Sequence, residues 1–145
     1  MPDTLTPERS AVEERLLAHF FPTFRLTGRT AIGTLETNSH ALYSVAVELH
    51  HFPFGPPTVK VVSPRLTNHS GQLLALSVAS RRMHHLGPDQ HGALRLCLHV
   101  PGQHDPRDTL YKSLIKARLW LEAYETHIRT GEMIDALLSH GRLDD

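Results

Sequence analysis

The sequence predicts an α+β fold, with helices laid against an antiparallel sheet, on three observations. A capped amphipathic stretch opens the chain, several short runs of period two follow it, and a long stretch of helical period closes it. Strands grouped together, with no regular strand–helix alternation, are the pattern of an antiparallel sheet rather than of a parallel βαβ sheet.

The first element is a helix over Pro7–Phe20. Thr6 offers a capping hydroxyl, Pro7 has the fixed φ suited to the first helical position, and Glu8 puts a negative charge in the first turn. Val12, Leu16 and Phe20 recur every four residues with Leu17 beside them, which turns Glu13, Glu14 and Arg15 toward water. From Phe24 the period shortens. Phe24 and Leu26, then Thr30, Ile32 and Thr34, mark two short strands broken at Gly28 and again at Asn38-Ser39. Tyr43 to Leu49 is the clearest strand, with Tyr43, Val45, Val47 and Leu49 on one face, and Val59 to Val62 supplies a fourth. Together they predict a four-stranded antiparallel meander.

Between the last two strands, Phe52-Pro53-Phe54-Gly55-Pro56-Pro57 excludes both helix interior and central strand, because proline lacks the N–H those structures use. Beyond Pro64 the pattern weakens. Thr67 to Gln72 reads as a polar turn, and Leu73 to Val78 as either a strand or a short helix. Arg81 to Gly92 reads as a His-rich loop that leads into a strand-like Leu94 to Leu98. Asp105-Pro106 repeats the cap-then-proline signal. Leu110, Leu114, Ala117, Leu121, Tyr124 and Ile128 then follow at spacings of four and three, one face of a long helix that Gly131 ends. Glu132 to Leu138 forms a last short helix, and residues Ser139 to Asp145 are expected to fray.

The 145 residues suit a single domain, 1–145, large enough to bury a core without metal or disulfide support. One cysteine excludes an internal disulfide, and Asp3, Glu8 and Arg9 lie where a secretory signal needs an apolar core. No run approaches the roughly 20 apolar residues of a membrane span. Fifteen basic against fifteen acidic residues give no overall positive field for nucleic acid. The expectation is a cytoplasmic protein, with no membrane or nucleic-acid partner, whose thiol stays reduced.

That thiol, Cys97, is the centre of the functional reading. If Leu96 and Leu98 point inward, alternation turns Cys97 outward, where a thiolate can form an acyl intermediate. The bland alternative is a small hydrophobe packed in the core. A second alternative is zinc, because His84, His85, His91, Cys97, His99 and His104 crowd one segment and imidazole with thiolate is a zinc ligand set. Their spacings match no paired finger ligands and no His-Glu-x-x-His, so neither a metal nor a cofactor is expected. His50 and His51 are read as surface residues, Tyr124 as a core anchor and Glu125 as a solvated acid.

The strand Tyr43 to Leu49, the Phe52–Pro57 turn, the strand Val59 to Val62, a His-containing loop and the Cys97-Leu98 pair resemble, in type and order, the ubiquitin-conjugating enzymes. The helix running from Trp120 through Tyr124-Glu125 to Gly131 is similar to the bacterial branch. Its members occur in antiphage operons beside an activating enzyme, a ubiquitin-like protein and a peptidase. The resemblance covers roughly residues 8–132. It implies a UBC-like fold: N-terminal helix, meander, active-site loop and C-terminal helices. It also implies a transferase that takes a ubiquitin-like protein from an activating enzyme as a Cys97 thioester and passes it to an amine of a protein substrate. A non-catalytic module of the same fold, binding a ubiquitin-like protein or scaffolding a complex, is the remaining alternative.

The family's His-Pro-Asn upstream of the cysteine is replaced here by Met83-His84-His85-Leu86-Gly87, so His84 or His85 stands as the positional substitute that would support the reacting centre. Asp105, with His99 and His104, lies where the incoming amine would be held or deprotonated, and Asp105 doubles as the expected helix cap. The first helix, exposing Glu13, Glu14 and Arg15, is the implied contact for the activating enzyme.

Overall fold

A computed structural model describes residues 5–76, 80–99 and 102–138 of the chain. Helix α1 is Pro7–Phe20, with the Thr6 hydroxyl accepting from the Arg9 N–H and proline in its first turn. Strands β1 (Arg25–Thr27), β2 (Thr30–Glu36), β3 (Leu42–Glu48) and β4 (Thr58–Ser63) form the expected meander. Leu73 pairs with Thr67 in an isolated bridge, residues Leu74–Leu76 make a short 3₁₀ turn, and residues 77 and 78 of the stretch read as strand or short helix lie outside the described residues.

The sheet has six strands rather than four. The segment read as a His-rich loop contains β5 (His85–Pro88), which forms an antiparallel hairpin with β6 (Leu94–Leu96). β6 also pairs with β4, giving the order β1-β2-β3-β4-β6-β5 with every neighbour antiparallel. Asp89 explains why the hairpin closes. One carboxylate oxygen accepts the N–H groups of His91 and Ala93 inside the turn, and the other pairs with Lys60 of β4. Burial alone would raise this carboxyl, but those hydrogen bonds outweigh it and bring the pKa down to about 2.

Helix α2 (Leu110–Thr130) begins four residues later than the Asp105-Pro106 signal implies, because Thr109 is its cap and accepts from the Lys112 N–H. Gly131 ends it at φ 80°, the left-handed conformation glycine adopts without strain. Helix α3 (Ile134–Leu138) follows, and the stretch expected to fray lies outside the described residues. The expected α2 face is buried from Leu110 to Tyr124, but Ile128 is exposed and His127 takes the inward position. Its side chains meet the inward rows of the sheet, among them Leu35, Tyr43, Val45, Val47, Val59 and Val61. Gly33 belongs to the inward row of β2 because a Cβ there would overlap the Phe24 ring.

Helix α1 sits differently from its hydrophobic pattern. Val12 and Phe20 are exposed, whereas Glu13, read as solvated, is fully buried (0% exposed). The reason is electrostatic. Glu13 accepts the Leu110 N–H at 2.9 Å, capping the start of α2, and its other oxygen holds the Arg9 Nε at 2.7 Å. Arg9 in turn donates to the carbonyls of Pro106 and Asp108 and lies over the Phe52 ring, 5.0 Å from its centroid. A carboxylate buried with a hydrogen-bonded cation and a helix N-terminus is satisfied where a lone one is not.

Glu13→Ala should therefore destabilise the fold by roughly 2 kcal/mol, from losing the buried cap of α2 and leaving the partly buried Arg9 without its carboxylate. Glu13→Gln, which still accepts from Leu110, should recover part of that loss. Urea denaturation followed by circular dichroism measures both, and a loss for Glu13→Ala within the scatter of a surface substitution would refute the assignment.

Candidate active site around Cys97

Cys97 lies one residue past β6, free and half-buried, between two buried leucines, Leu96 and Leu98. The alternation read from the sequence therefore holds. The leucines anchor the segment in the core, and Cys97 between them is less buried, as alternation requires. The cysteine N–H donates to the His84 carbonyl at 2.8 Å, which carries the hairpin pairing one residue beyond β6.

His84 and His85 meet the cysteine segment through their backbones. His85 stands in register with Leu96, and its ring is 98% enclosed (2% exposed), with Nδ1 accepting from the Gly87 N–H at 3.0 Å. An imidazole nitrogen that accepts carries no proton, so the neutral ring bears it on Nε2. Burial lowers the pKa of this histidine below its ordinary value. His84 is left-handed at φ 50°, and its ring reaches Asp135 of α3, with Nε2 2.8 Å from the carboxylate. The two rings that the family pattern put forward as supports of the reacting centre are thus engaged elsewhere, while the His84 carbonyl is bonded to Cys97.

Downstream of Cys97, Leu98 is buried and His99 half-buried. The His99 Nε2 is enclosed and has no partner among the described residues. Burial first, and the positive charge of Lys116 second, push its pKa down to about 4. The Lys116 ammonium, on α2, donates weakly to the Leu98 carbonyl at 3.4 Å. His104 packs edge-on to His99, ring centroids 6.2 Å apart, and its Nε2 lies 2.6 Å from the Pro53 carbonyl. A nitrogen facing a carbonyl must be the protonated one, so the neutral His104 ring has its lone pair on Nδ1. This contact joins the proline turn to the segment after the cysteine.

Asp105 does not cap α2. Its two oxygens are held by Arg107, through the backbone N–H at 2.8 Å and the guanidinium at 2.8 and 3.2 Å. Those bonds keep its carboxyl well below the usual range, which makes it a weak base. His50 and His51 are exposed, as expected, and so is His91, whose N–H closes the Asp89 turn. Among the described residues no three His, Cys, Asp or Glu side chains converge as a metal site would require.

Two features escaped the sequence reading, the engagement of Glu125 and the burial of Trp120. Glu125, expected to be solvated, accepts from the Tyr43, Thr37 and Ser39 hydroxyls at 2.6, 2.7 and 2.8 Å and ties α2 to β3. Burial would raise this carboxyl, but the three hydroxyls bring it below its usual value. Tyr124 is a core residue, as expected, whose hydroxyl accepts the Thr67 N–H. Trp120, three residues after Ala117 and four before Tyr124, shares the buried face of α2, and that spacing was the signal for it. Comparison with protein-family models, with curated proteins and with solved structures finds no match to this chain.

The two depressed histidines set a pH dependence. Below the ordinary imidazole value of 6.5 the unfolded chain binds protons that His99 and His85 resist in the folded state, so stability is retained above that value. It should be lost as the pH falls from 6.5 toward about 4. A loss on the order of 2 kcal/mol between pH 7.5 and 4.5 is expected from urea titrations. His99→Leu should flatten that slope, and an unchanged slope would remove His99 as its source.

Proposed function

We propose that this chain is a ubiquitin-conjugating-enzyme-like transferase of UBC-like fold. It accepts a ubiquitin-like protein from an activating enzyme as a Cys97 thioester and passes it to an amine on a target protein, in the cytoplasm, as part of bacterial antiphage defence. The observation that carries this reading is the setting of Cys97. The cysteine is free and half-buried, it is flanked by inward leucines, and it sits between a proline turn and the long helix in the order that the sequence resemblance implies.

The chemistry fits that setting. The Cys97 thiolate attacks the carbonyl of the thioester between the ubiquitin-like C-terminus and the activating enzyme, a new S–C bond forms, and the enzyme's thiolate leaves. The exchange replaces one thioester with another, so it needs access rather than driving force. In the second step an amine attacks the Cys97 thioester, the amide forms, Cys97 departs as thiolate, and the ammonium proton passes to solvent. Negative charge builds on the carbonyl oxygen in both steps and calls for a facing N–H donor. With the rings of His84 and His85 engaged elsewhere, backbone N–H groups beside Cys97 are the donors this reading assigns, and His84 serves through its carbonyl. His99, with its Nε2 enclosed, and Asp105, with both oxygens held by Arg107, leave the proton of the incoming amine to solvent.

With the cognate activating enzyme, ubiquitin-like protein and ATP, the chain should form an adduct that reductant cleaves and that Cys97→Ala abolishes, read on a non-reducing gel. His84→Asn, which tolerates the left-handed backbone and lacks the imidazole, should charge within about threefold of the native chain. Absence of an adduct, with partners that charge one another normally, would sink the transferase reading and leave the binding-module alternative.

A further inference from the structure

Trp120 is fully buried on α2 and stacks on Tyr124, ring planes 6° apart. A buried indole N–H must find an acceptor, and this one has two, the carbonyls of Met83 at 3.1 Å and His84 at 3.0 Å. The His84 oxygen is the same atom that accepts the Cys97 N–H at 2.8 Å. One carbonyl, with two lone pairs, therefore joins the buried helix to the backbone of the candidate nucleophile. The left-handed backbone of His84, φ 50°, goes with this geometry, since Met83 and His84 direct successive carbonyls at one donor. A non-glycine residue in that region persists only when its surroundings hold it there.

We infer that Trp120 is a positioning residue for Cys97: its indole N–H fixes the Met83–His84 peptides, and through the His84 carbonyl it sets where the Cys97 backbone, and so the thiol, stands. Without that N–H, His84 relaxes toward an ordinary conformation, its carbonyl swings off the Cys97 N–H, and the segment after β6 loosens. The catalytic consequence rests on the transferase reading; the structural consequence does not.

The chain has a single tryptophan, so replacing tryptophan during expression changes Trp120 alone. β-(3-Benzothienyl)alanine keeps the fused-ring shape and exchanges the N–H for sulfur, whereas 5-fluorotryptophan keeps the N–H and serves as the conservative control. In the sulfur analogue, amide hydrogen exchange at Cys97 should quicken and iodoacetamide alkylation of the thiol should shift, each by about fivefold, the factor one typical buried hydrogen bond represents. Charging with the ubiquitin-like protein should slow to a similar degree, and the fluoro protein should match the native one in all three. A uniform rise in exchange across the sheet in the sulfur analogue would mark a general packing defect and overturn the inference. Native exchange and alkylation at Cys97 in that analogue would overturn it as well. Altered exchange and alkylation in a protein that never charges, even with native tryptophan, would uphold the positioning role while removing the transferase reading.

Discussion

The arrangement depends on a carboxylate that a hydrophobic pattern would send to water. Glu13 is buried between the guanidinium of Arg9 and the first N–H of α2, and each partner explains the other. The N-terminus of a helix has unpaired N–H groups and a partial positive charge, so a carboxylate there satisfies a donor and is itself stabilised. The cost of desolvating an ion is several kcal/mol, and hydrogen bonds on both oxygens are what make that tolerable. Because α1 and α2 are nearly a hundred residues apart in sequence, this one contact fixes how the first helix meets the long one. Arg9 extends the fixation, through the carbonyls of Pro106 and Asp108, to the segment leading out of the cysteine region.

A second layer of constraint acts on the cysteine itself. The β5–β6 hairpin is closed by Asp89, which spends one oxygen on its own turn and the other on Lys60 of β4, a lysine that also bonds Glu48 of β3. The hairpin is thereby joined by side chains to the two central strands as well as by its backbone ladder. Beyond β6 the ladder is carried one step further by the Cys97 N–H, and from there the chain is held by buried Leu98 and the Lys116 contact. The thiol is half-buried because its neighbours on both sides are anchored inward. On the far side of the cysteine, Phe52 lies beneath Arg9 and Pro53 accepts from His104, so the proline turn is bonded to the segment after Cys97 and stacked against the first helix.

Elements governed by local signals were legible in the sequence. Thr6-Pro7, the alternation from Tyr43 to Leu49 and Gly131 each act through a few neighbouring residues, and each element formed where they place it. The hairpin was hidden because β5 and β6 are four and three residues long, too short for a period, and β5 includes a glycine and a proline. Asp105-Pro106 misled because an aspartate that turns back on its own backbone resembles a cap in sequence; here it accepts the Arg107 N–H, and the helix waits for Thr109. Glu13 and Glu125 were misread for a different reason. Leu110, whose N–H Glu13 accepts, and the Thr37, Ser39 and Tyr43 hydroxyls that Glu125 accepts from are eighty or more residues away in the chain, and long-range polar pairing leaves no periodic trace. Of the candidate site, the partial burial of the cysteine was legible from the flanking leucines. The engagement of the His84 and His85 rings was not, since it depends on Gly87 and Asp135 meeting them in space.

Under the proposed reading, the electrostatics of the segment after Cys97 bear on how each transfer step proceeds. A site built to take protons would hold a carboxylate or imidazole whose pKa lies near the working pH. The titratable groups downstream of this cysteine depart from that in two ways: His99 is kept neutral by burial and by the charge of Lys116, and Asp105 is kept ionised by Arg107. Neither competes strongly for a proton. For exchange between thioesters that is no handicap, because the attacking and departing sulfurs are alike and only access and an oxygen-facing donor are required. For the amine step it shifts the requirement to positioning. His99 Nε2 is enclosed and both Asp105 oxygens are held by Arg107, so deprotonation falls to water or to the acceptor's own surroundings. Under the proposed reading, then, the rigidity supplied by Trp120, Glu13 and Asp89 matters more than any single acid or base: precision in where the thioester stands substitutes for proton transfer at the site.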